Sequence, residues 1–65
     1  MEYGYRIVVD TNGHIDTVTN SRPMTEEEAY DIVLDNLENI KHCNTRARIV
    51  SAVVIHEVIV REVKV

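Results

Sequence analysis

The chain has no Trp and no Phe, a single Cys, a single Pro and two Gly among its 65 residues. Each scarcity excludes something. One cysteine, Cys43, rules out an intramolecular disulfide and any cysteine-rich metal cluster. Two glycines, Gly4 and Gly13, are too few and too far apart to cradle a phosphate. No apolar stretch follows a basic N-terminal region, as a secretory signal requires, which with the lone thiol makes the cytoplasm the expected compartment. The C-terminal run is broken by His56, Glu57, Arg61 and Glu62, so no membrane span is expected.

What is present is Val and Ile. Apolar residues make up 45% and charged residues 28%, too apolar a mixture for a disordered tail and ordinary for one folded domain spanning 1–65. A domain this short buries only about 60% of its unfolded surface. Disulfides, metals or oligomers commonly make up the shortfall, and here oligomerisation is the route left open.

The net charge of −4 is unevenly placed. Thr25 to Lys41 holds six acids and one base, and the rest of the chain five acids and six bases. An acidic patch therefore belongs to one element.

Tyr3, Tyr5, Ile7 and Val9 alternate on one face of a first strand. Asp10-Thr11-Asn12-Gly13 then turns the chain into His14 to Thr19, a Thr-rich strand suited to a sheet edge. A three-residue loop sets Val9 opposite Ile15, whereas a two-residue Asn12-Gly13 turn sets Val9 opposite Asp16. The first register is expected, because a slip of one residue moves side chains to the wrong face. Asn20-Ser21-Arg22-Pro23 breaks the strand.

Thr25 with Glu28 forms a capping box, and three glutamates in the first turn suit the positive end of a helix. Ala29, Ile32, Val33, Leu37 and Ile40 define its buried stripe, flanked by Tyr30 and Leu34. The helix is expected to end near Lys41, with His42 to Thr45 a loop.

Residues 46–65 lack Gly and Pro and read as strand, with a phase slip between Val60 and Val63 that a bulge near Arg61 and Glu62 explains. Twenty extended residues span roughly 66 Å at about 3.3 Å each, far beyond a domain whose radius of gyration is about 11 Å. Either the segment turns back near His56, or its far half leaves to pair with another molecule. No turn-forming residue lies at His56, which favours the second course, a homodimer with a shared or exchanged C-terminal strand. The interface then comprises Val54, His56, Val58, Val60 and Val63.

The expected fold is α+β: a β-hairpin, one amphipathic helix and a long C-terminal strand (ββαβ), bulged or split in two. A right-handed crossover gives strand order 2-1-3 and an antiparallel-dominated sheet with the helix on one face. Val8, Val18 and part of the long strand line the other face, which a monomer leaves half exposed.

For function, the sequence offers surfaces and no catalytic set. Glu28, Asp31, Asp35 and Glu38 form one acidic helix stripe, read either as a solvated face or as a surface for a protein partner. His14, His42, His56 and Cys43 match no zinc spacing, so no metal or other cofactor is expected. The pairs His14–Asp16 and His56–Glu57 lack a nucleophile or an orienting third group. Arg6, Arg22, Arg46 and Arg48 are too sparse for a nucleic-acid surface, and the tyrosines fall in the inward set.

Thr25-Glu26-Glu27-Glu28-Ala29 opening an amphipathic helix after a hairpin resembles the N-terminal domain of HicB-type antitoxins. The resemblance covers those five residues and the order of elements. That family's Pro-Gly-Cys turn and C-terminal DNA-binding region are absent, so no function is carried over.

The expectation is a non-enzymatic homodimeric protein-binding module, of the kind phage or mobile elements use as inhibitors or adaptors. A second expectation is a protein that sequesters a small molecule or nucleotide at the dimer interface, with Arg46, Arg48, His56 and Arg61 contacting an anion. A small enzyme using interfacial residues is the third.

Overall fold

A computed structural model describes residues 2–20, 24–43 and 45–64. The strand break at Ser21 to Pro23 and the loop residue Asn44 lie outside the described residues. The elements are β1 (Gly4–Thr11), β2 (His14–Asn20), α1 (Glu26–Cys43), β3 (Ala47–His56) and β4 (Val58–Glu62). They form one antiparallel sheet of order β2-β1-β3-β4 with α1 packed against it, an α+β fold. The tyrosine strand β1 is central and antiparallel to both neighbours, as expected.

The hairpin register differs from the expected one. Thr11 pairs with His14, Asp10 with Ile15 and Val9 with Asp16, so Asn12-Gly13 is a two-residue turn. Both turn residues have positive φ, 53° and 87°. Two-residue turns of that hand match the right-handed twist of the strands, and Asn-Gly is the pair that adopts them at least cost. Asp10 still acts as a turn opener, because its Oδ1 accepts the Gly13 N–H at 2.9 Å. The one-residue change exchanges the faces of β2. Val18 pairs with Ile7 and so belongs to the helix side, not to the opposite face where it was expected. Ile15 takes the opposite face beside Asp10, where it is 55% exposed.

Between helix and sheet lies the core: Tyr5, Ile7 and Val9 from β1, Ala29, Val33 and Leu37 from α1, and Ala52 and Val54 from β3. Met24 and Val63 complete it. Ile32 and Ile40 pack half-buried against this cluster. The capping box forms reciprocally, Glu28 N–H donating to Thr25 Oγ1 at 3.1 Å and Thr25 N–H to Glu28 Oε1 at 3.0 Å. The helix runs to Cys43, two residues past the expected end. Lys41 and His42 in its last turn suit the negative end of its dipole.

The second difference is at the C-terminus. The long segment does not leave as one strand. It reverses at Glu57, and β4 pairs antiparallel with β3, His56 opposite Val58. Glu57 makes this reversal with a φ of 66°, the left-handed region that turn-forming Gly or Asn normally supplies. A turn at a glutamate carries no sequence signal.

The phase slip is real but falls one residue early. Val54 pairs with Arg61 and Ile55 with Ile59, which leaves Val60 as the extra residue of a bulge. A second bulge leaves Val50 unpaired between Ser51 and Ile49 opposite β1. On the face without the helix, Val53 is buried yet stands apart from the main core, with Arg6 and Glu62 as its cross-strand neighbours.

Candidate interaction surface

The acidic stripe survives as geometry, with one member committed elsewhere. Glu28, Asp31, Asp35 and Glu38 are all exposed on α1, away from the core stripe. Glu28 caps its own helix. The backbone and side-chain hydrogen bonds from Thr25 hold its carboxyl below the usual glutamate range. Asp31, Asp35 and Glu38 remain as the acids facing outward.

The set expected to hold an anion is dispersed. The Arg48 guanidinium donates to Asp10 Oδ2 at 3.2 Å on the helix-free face. Arg61 lies over the Tyr30 ring, 3.9 Å from its centroid, on the helix side. His56 Nδ1 lies 2.8 Å from the Glu2 carbonyl oxygen, to which it donates, while its ring stacks on Tyr3 at 4.7 Å. Arg46 sits just before β3, and ten extended residues, roughly 33 Å, separate it from His56. Arg48 and Arg61 thus lie on opposite faces of the sheet, and Arg46 and His56 at opposite ends of β3. An open concavity of about 490 Å³ does lie at the His56 end, lined among others by Gly4, Arg6, Ile55 and His56. Two acids, Glu2 and Glu57, and one arginine, Arg6, are among its lining residues, so it carries no cationic excess.

The five residues expected at a dimer interface divide into three groups. Val54 and Val63 lie in the chain's own core, at 0% and 5% exposure. His56 is half-buried under the N-terminal residues. Val58 and Val60 are exposed, at 69% and 43%.

Ile59 between them, 51% exposed, was not singled out from the sequence. The available signal was three successive β-branched apolar residues, which an edge strand cannot bury on either side. Among the described residues β4 pairs with β3 alone, so its other backbone edge carries this run unpaired. The opposite edge, β2, also exposes two apolar side chains, Ile15 and Val18, but polar residues separate them and it carries no apolar run like that of β4.

Other chemistry has little to build on. Among the described residues no group of three His, Cys, Asp or Glu side chains is placed to hold a metal ion. Cys43 is an exposed free thiol at the end of α1. His14 approaches Asp16 at 3.3 Å in full solvent, a pair with no third group. Among the described residues no helix is long and apolar enough to cross a membrane. Comparison with known proteins finds no family model, no curated protein and no solved structure that matches the chain.

Proposed function

We propose that this chain is a small homodimeric protein-binding module that acts by binding rather than by catalysis. The observation that carries the reading is the exposed run Val58-Ile59-Val60 on the unpaired edge of β4. An apolar edge of this kind is a template for pairing with another chain, and folded proteins that keep one generally use it. Three of the polar groups that the alternative, anion-sequestering reading needs are already engaged within the chain: His56 on Glu2, Arg48 on Asp10 and Arg61 on Tyr30. The acidic face of Asp31, Asp35 and Glu38 offers a second surface, suited to a basic protein partner. A phage- or mobile-element-type inhibitor or adaptor fits this economy of design.

The test compares partner capture by the wild type, by Ile59→Lys and by Asp31→Lys/Asp35→Lys, with folding followed by circular dichroism. The reading expects all three to fold and at least one variant to lose the partner. Equal capture by all three sinks it.

A further inference from the structure

Glu57 is the whole connection between β3 and β4, and it is held at a φ of 66°. Among the described residues the other non-glycine with positive φ is Asn12, whose short amide suits that conformation. Glutamate has no such accommodation. A bulky residue held there is strained, and it persists because its surroundings impose it. The imposing contacts are those of β4: Val63 in the core, Val63 N–H donating to the Ala52 carbonyl at 2.8 Å, and Arg61 over Tyr30.

An extended Glu57 relieves that strain and makes residues 47–62 one strand of roughly 53 Å. The longest dimension of the molecule is 36 Å, so β4 then projects beyond its own domain. The slot it leaves beside β3 fits one segment above all, the same residues of a second copy. That copy supplies the same valine to the core, the same guanidinium to Tyr30 and the same backbone bonds to Ala52. Short connections under strain are the usual hinges of such exchanges.

We infer that two copies of this chain exchange β4, with Glu57 as the hinge. Contacts are conserved, strain is relieved at both hinges, and the cost is the entropy of association. The dimer therefore forms with rising concentration. Val58, Val60 and Val63 then travel with the exchanged segment, His56 flanks its hinge, and Val54 lies on β3 opposite it. This rests on the homodimeric part of the reading above and adds how the dimer is made.

The test places a disulfide across the β3–β4 register with Val53→Cys/Glu62→Cys in a Cys43→Ser background, Val53 and Glu62 being direct partners. Dimer and monomer fractions are separated, oxidised and run on a non-reducing denaturing gel. Exchange gives covalently linked pairs of chains from the dimer fraction and single bridged chains from the monomer. A dimer fraction that yields single bridged chains overturns exchange and leaves the homodimer standing. No dimer fraction at any concentration overturns both.

The hinge is tested independently. Glu57→Gly tolerates the turn and weakens dimerisation about tenfold or more, two strained hinges being relieved without exchange. Glu57→Pro cannot adopt positive φ and drives the chain into the dimer. Equal dimer dissociation constants for Glu57→Gly and the wild type overturn the hinge, whether or not Glu57→Pro folds.

Discussion

The guanidinium of Arg61 lies 3.9 Å from the centre of the Tyr30 ring, tying the edge strand β4 to the helix α1. This contact and the burial of Val63 add to the β3–β4 ladder in holding a five-residue strand whose residues are all exposed. Cation–π pairs at partly exposed sites contribute about 0.5–1 kcal/mol. In a double-mutant cycle, Arg61→Ala and Tyr30→Leu are expected to couple by about that amount in chemical denaturation. Strict additivity would mean the contact contributes nothing.

The Thr25–Glu28 capping box makes a pH-dependent contribution. Its folded-state pKa is held below the unfolded value, so the stabilisation is present above the ordinary glutamate value of about 4.3 and is lost as pH falls through the lowered one. Thr25→Ala is expected to cost about 1 kcal/mol at neutral pH. Thermal unfolding of Glu28→Ala against wild type is expected to show a gap at pH 7 that narrows at pH 3. A constant gap contradicts the assignment.

The hairpin register makes opposite demands on two isoleucines. Ile7 is fully buried and Ile15 more than half exposed on the other face. Ile7→Ala is expected to cost about 2–5 kcal/mol, enough to unfold much of so small a domain. Ile15→Lys is expected to change stability by about 0.5 kcal/mol or less. Urea titrations of the two variants check this, and a large loss from Ile15→Lys would restore the three-residue turn.

On α1, Asp31 and Asp35 lie one turn apart, both exposed and of like charge. Asp35→Lys replaces repulsion with attraction and is expected to raise stability by about 0.3–0.5 kcal/mol. If that face binds a basic partner, the same variant loses the partner while gaining stability. That combination separates a binding residue from a structural one.

How far the sequence revealed the fold depends on how local each signal was. The capping box, the Ala29–Val33–Leu37 stripe and the inward set of β1 are periodic patterns, and each stands where its period places it. The hairpin was legible as a turn but not in register, since Asp10 opens either loop equally well. The Asn12-Gly13 pair itself signals the two-residue loop, as its positive φ angles bear out, but the apolar alternation that sets Val9 opposite Ile15 pointed to the other register. The reversal at Glu57 was illegible because tertiary contacts, not residue type, hold that backbone. For the same reason the capture of Val54 and Val63 by their own core was hidden. Of the surfaces, the acidic face could be read from helical spacing. The apolar edge required knowing that β4 is a strand on the outside of the sheet.

The most direct test of the homodimer is the solution mass of the full chain by light scattering across a dilution series, beside a truncation ending after Glu57. The homodimer reading predicts a mass that rises from one chain to two with concentration, and no such rise for the truncation, which lacks β4 and Val63. A full chain that keeps the mass of a single copy from micromolar to millimolar concentration contradicts it.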